Sequence, residues 1–224
     1  SCYLPRIASM ACMLGGACVM DCSQFLPQRY DDPRYTVPEY CIVWGHQPFY
    51  SNADGFYGHW ITDLMKRGMK IVMIDPKVTW LSAKAEVHLP VRPGTDAALA
   101  LGMLNVIINE DLYDHDFVEN WCNGFDKLAE HMKQYTPEWA SPITGIPVEQ
   151  IYEIARLMGT VKPMGINIGN GIGDQQNDGH WTVACACLIE AITGNLGIAG
   201  GGSAGMVAPP SLVKTKGIDV LSDR

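Results

Sequence analysis

The chain has 224 residues, of which 47% are hydrophobic and 18% are charged. This composition predicts a globular chain with a substantial buried core, and not a disordered one. The net charge of −8, from 16 Lys and Arg against 24 Asp and Glu, leaves no basic stripe to neutralise phosphates, which argues against a nucleic-acid partner. No apolar run approaches the ~20 residues of a membrane span, so direct membrane insertion is not expected.

From residue 41 onward the sequence alternates short apolar runs with helical patterns, after an irregular segment over residues 1–40. Strands are predicted within EYCIVWG (39–45), KIVMIDP (70–76), AEVHLPVRPG (85–94) and PMGINIG (163–169). Nearly all-apolar strands separated by helices are typical of a parallel sheet covered on both faces. The predicted fold class is therefore α/β, with a mostly parallel sheet, helices on both faces and a Rossmann-like dinucleotide-binding domain.

The helices are predicted from apolar stripes, N-caps and glycine stops. The clearest, TDAALALGMLNVIINED, has Thr95 as its N-cap and Asp96 in its first turn, where the helix dipole favours an acid. The others are predicted over 53–68, over about 114–133 with a break near residues 123–124, over 144–160 and over 180–194. Residues 41–196 are thus assigned to the α/β domain, and residues 197–224 to a tail of coil rich in Gly and Pro.

Every predicted strand ends in a loop that suits a nucleotide. The carboxyl ends of parallel strands meet at one edge of the sheet, and ligands bind there at the point where the strand order reverses. Glycine lets the backbone approach a phosphate, and an acid after a strand can bind ribose hydroxyls. The candidate cofactor-binding residues are Gly45, His46, Gln47, Pro48, Asp75, Pro76, Gly94, Thr95, Asp96, Gly171 and Gly173.

Simpler interpretations of these residues stay open. Asp75 could simply mark the end of a strand, and Thr95 and Asp96 could do no more than cap a helix. An isolated His46 is more often a packed or solvated side chain than a ligand. An NAD-dependent dehydrogenase is disfavoured, because residues 169–173 give G-x-G-x-G where the dinucleotide fingerprint has G-x-G-x-x-G. Asp75 also follows Gly45 by 30 residues, further than the ~20 of that fingerprint.

Longer motifs point to one family. IVWGHQP, KIVMIDPKVTWLSAKAEVHLPVRPGTDAALALGMLNVIINEDLYDHDFV, YTPEWASPITGIPVEQI and AITGNLGIAGGG follow one another in this order. By these motifs, over about residues 40–202, the chain resembles the dimethyl sulfoxide reductase family, and within it members similar to acetylene hydratase and the catechol dehydroxylases. These are molybdenum or tungsten oxidoreductases that carry bis-molybdopterin guanine dinucleotide.

The resemblance implies a role for most of the candidate residues. Gly45 and Gln47–Pro48 would lie against the pyrophosphate, and Asp75 would bind the guanosine ribose. Residues 94–96 would hold the guanine, whose N–H edge suits the carboxylate of Asp96. Gly171 and Gly173 would line the pterin-facing side of the cleft.

The family places its metal ligand before the first strand, so the resemblance implies Cys22 as the thiolate ligand and Cys18 as the second choice. It further implies that the chain is a fragment of a larger catalytic subunit, whose [4Fe-4S] cluster belongs to an N-terminal part absent here. The rest of that subunit and an iron–sulfur electron-transfer subunit are the expected partners. The alternative is a cofactor-free nucleotide-binding or regulatory domain of the same fold.

Overall fold

The computed structural model describes residues 18–20, 36–50, 56–173, 176–177 and 179–204. The strands are β1 (Cys18–Met20), β2 (Tyr40–Trp44), β3 (Lys70–Ile74), β4 (Val87–Leu89), β5 (Met164–Ile168) and β6 (Gly202–Ala204). The helices are α1 (Phe56–Lys66), α2 (Asp96–Asn109), α3 (His115–Trp121), α4 (Phe125–Met132), α5 (Pro137–Thr144), α6 (Val148–Thr160), α7 (Asn170–Gly173) and α8 (Gly179–Ile192), with a 3-10 turn at Ser82–Lys84.

Four strands form a parallel sheet in the order β4-β3-β2-β5. The last residue of β2, Trp44, lies opposite Ile74 of β3 and Ile168 of β5, so these three strands end at the same level. The chain leaves β2 towards β3 and β4 on one side and returns to β5 on the other side. The strand order therefore reverses between β2 and β5, which is where an open α/β sheet binds its ligand. The predicted parallel sheet is confirmed.

The central strand β2 is buried on both faces. Ile42 and Trp44 belong to the larger core, which contains the apolar faces of α2, α6 and α8. Cys41 and Val43, which point the other way, pack in a second core with Ile61 and its neighbours on α1. Helices thus cover both faces, and this explains why the strand carries no alternating polar residues.

The free edge of β5 is covered by side chains of α8 and of the turn that follows it. The backbone N–H of Ile166 donates to Oε1 of Glu190 at 2.9 Å, and the N–H of Met164 donates to Oδ1 of Asn195 at 2.9 Å. Glu190 and Asn195 are completely buried. A buried backbone N–H without an acceptor is costly, so these two side chains replace the neighbouring strand that β5 lacks on this side.

Helix α5 was missed by the sequence analysis, although its ends carry local signals. The hydroxyl of Thr136 accepts a hydrogen bond from the N–H of Trp139 at 3.3 Å, Pro137 occupies the first turn, and Gly145 ends the helix with a φ of +78°. Pro142 inside the segment removes a helical N–H, which is why a search for a regular helix passes over it.

Three segments predicted to be irregular contain regular structure. β1 and β6 pair antiparallel, with Cys18 opposite Ala204, although they fall in the segments assigned to an irregular N-terminus and a coil tail. The glycine-rich loop after β5 contains the helical turn α7. Three-residue strands and a four-residue helix are too short for periodicity to reveal, so long-range contact decides them.

We predict that Glu190→Leu destabilises the fold more than Glu190→Gln does. Leucine leaves the Ile166 N–H without an acceptor, at a cost of about 1–3 kcal/mol, whereas glutamine keeps an oxygen in place. Urea-unfolding midpoints of the two variants measure the difference. Equal midpoints would show that the cover of β5 does not depend on this hydrogen bond.

Candidate cofactor-binding site

The loops that follow β2 and β5 are joined by backbone hydrogen bonds. The N–H of Gly169 donates to the carbonyl of Trp44 at 2.8 Å, and the N–H of Gly171 donates to the carbonyl of Gly45 at 3.1 Å. On the other side, the N–H of Gly45 donates to the carbonyl of Ile74 at 2.9 Å. The carboxyl edge of the sheet is thus one continuous backbone surface across β3, β2 and β5.

Glycine is required in both loops because their backbones approach so closely. A Cβ atom on Gly169 would lie 2.1 Å from the carbonyl oxygen of Gly45, and one on Gly171 would lie 2.8 Å from the same oxygen. Gly45 itself has a φ of +57°, and a Cβ there would lie 2.7 Å from Cγ2 of Ile172. These glycines therefore serve loop-to-loop packing, a reason that the sequence analysis did not give. Their contact with the cofactor stays a prediction.

The loop after β4 is held by the helix that the sequence analysis missed. The Arg92 guanidinium donates from Nη1 to the carbonyl of Ile143 at 2.7 Å, at the end of α5. Gly94 has a φ of +82° with open space around the position of a Cβ. Thr95 precedes α2 as predicted, but its hydroxyl donates to the carbonyl of Arg92 at 2.7 Å and accepts no capping hydrogen bond. The predicted N-cap position of Thr95 is confirmed, but its side chain forms no capping hydrogen bond.

Asp96 is a buried acid, only 5% exposed, at the start of α2. Its Oδ1 accepts a hydrogen bond from Nε1 of Trp44 at 2.9 Å, and its Oδ2 accepts one from Nε2 of Gln176 at 2.5 Å. Burial raises the pKa of Asp96 above its ordinary value, and the two hydrogen bonds oppose this rise without cancelling it. The nearby carboxylate of Asp75 raises the same pKa further.

Asp75 lies at the end of β3, half-buried, and its Oδ1 accepts from the backbone N–H of Lys77 at 2.8 Å. Its backbone carbonyl accepts from Nε2 of His88 at 2.9 Å, which ties the loop to β4. Pro76, which follows, is exposed. Two carboxylates, Asp75 after β3 and Asp96 at the start of the helix that follows β4, thus lie at the carboxyl edge of the sheet.

Buried amide atoms at this edge have no hydrogen-bond partner among the described residues. Both polar atoms of Gln47 are in this state, and so is Nδ2 of Asn167. Oδ1 of Asn167 lies 2.9 Å from Nδ1 of His46, while Pro48 is buried beside them in the chain. Asn167 was not predicted, although a polar residue inside the apolar run MGINI was a usable signal. Buried polar groups are usually satisfied, so these atoms are candidates for hydrogen bonds to a ligand.

The remaining predicted residues are less informative. Gly173 is buried in α7, with its carbonyl oxygen packed against Gly179. Cys22 lies outside the described residues, and Cys18 begins β1 with only its backbone described. Within the described ranges, no three His, Cys, Asp or Glu side chains come together as metal ligands. Nor does this part of the chain contain a helix long and apolar enough to cross a membrane.

Comparison with known proteins identifies the family. The sequence profile described as "Molybdopterin oxidoreductase" matches residues 36–221. The chain belongs to the molybdopterin oxidoreductase family. This confirms the resemblance to the dimethyl sulfoxide reductase family, and membership implies a molybdopterin cofactor with molybdenum or tungsten.

Three curated relatives show how much of a family member the chain represents. It is 40% identical over 176 residues to the probable oxidoreductase YoaE of Bacillus subtilis, covering 77% of this chain and 25% of the relative. It is 41% identical over 131 residues to acetylene hydratase of Syntrophotalea acetylenica, covering 58% of this chain and 18% of the relative. It is 37% identical over 158 residues to the dimethyl sulfoxide reductase DmsA of Escherichia coli, covering 62% of this chain and 19% of the relative. The chain thus spans about a quarter or less of each.

The fold matches a solved member of the family. Acetylene hydratase from Pelobacter acetylenicus superposes with a TM-score of 0.75 at 29% sequence identity, over 90% of this chain and 26% of that one. The superposition confirms the predicted α/β fold class. In structure as in sequence, this chain corresponds to about a quarter of the larger relative.

We predict that Gly169→Ala disrupts the contact between the loops after β2 and β5. Its Cβ would lie 2.1 Å from the Gly45 carbonyl oxygen, and such overpacking typically costs about 1–3 kcal/mol. Amide hydrogen exchange of Gly171, whose N–H is bound to Gly45, should accelerate. Gly94→Ala is the control, because its cost comes from a φ of +82° in open space and leaves the Gly171 amide protected.

We predict opposite pH dependences for Asp96→Asn and Asp114→Asn. The pKa of Asp96 is raised in the folded state above its ordinary value of 3.8. The contribution of Asp96 to the stability of the wild type therefore falls as the pH rises above 3.8. Asp96→Asn has no such loss, so its stability rises relative to that of the wild type. The pKa of Asp114 is lowered, first by Lys162 and then by the N–H of Phe117. Its stabilisation is therefore present above pH 3.8 and lost below it, and Asp114→Asn is the weaker protein at neutral pH.

The measurement is the free energy of unfolding of the three proteins across pH 3 to 7. The difference between Asp96→Asn and the wild type should grow with pH, and the deficit of Asp114→Asn should grow as well. Parallel curves for Asp96→Asn and the wild type would contradict the inferred cost of ionising Asp96.

Proposed function

We propose that this chain is the domain that binds molybdopterin guanine dinucleotide within the catalytic subunit of a molybdenum or tungsten oxidoreductase. The observation that carries the proposal is the convergence of two carboxylates and an unpaired buried amide at the carboxyl edge of the sheet. Asp75 follows β3, Gln47 follows β2, and Asp96 begins the helix after β4, where it binds the Trp44 side chain at the end of β2.

These groups fit the guanine dinucleotide form of the cofactor. An ionised carboxylate offers about four acceptor sites, and Asp96 uses two of them for Trp44 and Gln176. The two that remain suit the N1–H and N2–H₂ donors of guanine. Asp75 keeps Oδ2 for ribose hydroxyls, and the backbone at Gly94, with open space around the position of a Cβ, is available to the base.

The electrostatics of Asp96 support a binding role over a structural one. A buried acid with a raised pKa reduces stability at neutral pH, and such groups are concentrated at functional sites. When bound, the molybdopterin and its metal supply the redox or hydration chemistry. This chain binds the cofactor, orients it through the Trp44–Asp96 hydrogen bond and excludes water from the buried edge.

The metal ligand and the partners complete the proposal. Cys22 provides the thiolate, with Cys18 as the second choice, and the cofactor is the bis form shared with the remainder of the subunit. A [4Fe-4S] cluster lies in the N-terminal part of that subunit, and electrons pass to an iron–sulfur subunit. Two matched relatives named as subunits or chains of larger enzymes, a formate dehydrogenase subunit alpha and a dimethyl sulfoxide reductase chain, support this assembly.

We predict that the full-length protein contains pterin, molybdenum or tungsten, and releases GMP on hydrolysis of the cofactor. Pterin fluorescence, metal analysis and nucleotide chromatography measure the three. Asp96→Ala should lower the content of all three, because guanine loses its acceptor. A full-length protein with neither pterin nor metal would favour the cofactor-free regulatory domain, and release of AMP would favour a dehydrogenase.

The two cysteines form a matched pair of variants for the metal ligand. Cys22→Ala should reduce bound metal and activity while pterin is retained, because the thiolate binds the metal and not the ring. Cys18→Ala should leave both contents near those of the wild type. The reverse pattern would assign the ligand to Cys18.

A further inference from the structure

Asn167 occupies an unusual place in the sheet. Its neighbours Ile166 and Ile168 point into the core beneath α2, so the alternation of the strand turns Asn167 to the opposite face, near the carboxyl end of β5. It is 5% exposed. Burying an amide in a strand costs free energy unless both of its polar atoms find partners.

Only one half of this amide has a partner within the described part of the chain. Oδ1 of Asn167 lies 2.9 Å from Nδ1 of His46, so the ring N–H donates to it. Nδ2 is buried without an acceptor among the described residues. The bond to His46 explains the position of the ring, but it leaves the two N–H donors of the amide unexplained.

Gln47 presents the same situation in the loop that follows the neighbouring strand β2. It follows His46 directly, and both Oε1 and Nε2 are buried without a partner among the described residues. The hydrogen bonds from Gly169 and Gly171 hold this loop against the end of β5. Two incompletely satisfied amides therefore flank His46 where the strand order reverses.

The chemistry of these atoms distinguishes between ligand groups. A pyrophosphate only accepts hydrogen bonds, so it would satisfy the N–H groups and leave Oε1 of Gln47 buried and unpaired. The lactam edge of a fused heteroaromatic ring carries an N–H donor beside a carbonyl acceptor. Such an edge can satisfy Oε1 and Nε2 of Gln47 together and also accept from Nδ2 of Asn167.

We propose that Asn167 and Gln47 form a two-amide site that binds the neutral lactam edge of the pterin ring of the cofactor, since the corresponding edge of guanine is assigned to Asp96, with His46 positioned by Asn167. The proposal rests on the proposed function and deepens it, since it assigns Asn167 to the ligand and moves Gln47 from the pyrophosphate to a ring. His46 is a positioning residue that holds the Asn167 amide in one orientation.

The test uses the full-length subunit and two variants that keep the fold. Asn167→Asp keeps the oxygen that binds His46 and replaces only the N–H donors that have no described acceptor. Gln47→Leu removes two unpaired buried atoms, so its unfolding midpoint should equal or exceed that of the wild type in the cofactor-free protein. Both should lose pterin about threefold to tenfold faster than the wild type on gel filtration.

Asn105→Asp is the matched control. Asn105 is also a 5% exposed asparagine, but its Nδ2 donates to the carbonyl of Met132 at 2.7 Å. Its replacement should therefore lower the unfolding midpoint and leave pterin retention unchanged. A ligand role and a structural role thus predict opposite patterns at the two asparagines.

GDP binding to the cofactor-free full-length subunit separates the two rings. Faster pterin loss with unchanged GDP affinity supports the pterin edge, and a fall in GDP affinity in step with faster pterin loss would overturn it in favour of a guanine edge. Unchanged retention in both folded variants overturns the two-amide site alone. A wild-type subunit that holds no pterin overturns the proposed function, and this assignment falls with it.

Discussion

The site depends on the close approach of two backbone segments, the loops that follow β2 and β5. The carbonyl oxygen of Gly45 accepts from the N–H of Gly171 and would lie 2.1 Å from any Cβ placed on Gly169. This contact lies at the point where the strand order reverses. A larger residue in either loop would push the strand ends apart, and the polar groups beside them would no longer converge.

Around this junction the protein retains polar groups that do not favour folding. Burial raises the pKa of Asp96, so the charged form of this acid costs stability, and the amides of Gln47 and Asn167 hold buried atoms without described partners. Along the edge of β5, the side chains of Glu190 and Asn195 accept hydrogen bonds from buried backbone N–H groups. The buried polar groups at the carboxyl edge support the proposal that this edge binds the cofactor.

Much of the fold could be predicted because its signals are local. The apolar strands, the break at Gly124 and the buried stripe of α6 that begins at Ile151 follow from periodicity and from glycine conformations. Helix α5 escaped prediction because Pro142 interrupts its pattern. Arg92 nevertheless donates a hydrogen bond to the carbonyl of Ile143 near the end of this helix, which positions the loop that leads to Asp96. The unpredicted helix α5 thus holds a loop of the predicted cofactor site.

The sequence by itself determined the α/β class, the strand ends at which ligands bind and the family motifs, because each is encoded in neighbouring residues. Only the tertiary structure decided that the glycines face one another, that Thr95 turns to Arg92 and that Asn167 joins His46. His46 and Asn167 lie 121 residues apart in the chain. Strands β1 and β6, which pair with each other, lie near opposite ends of the chain. Such contacts depend on how the strands are ordered, and strand order is a property of packing that no local pattern contains.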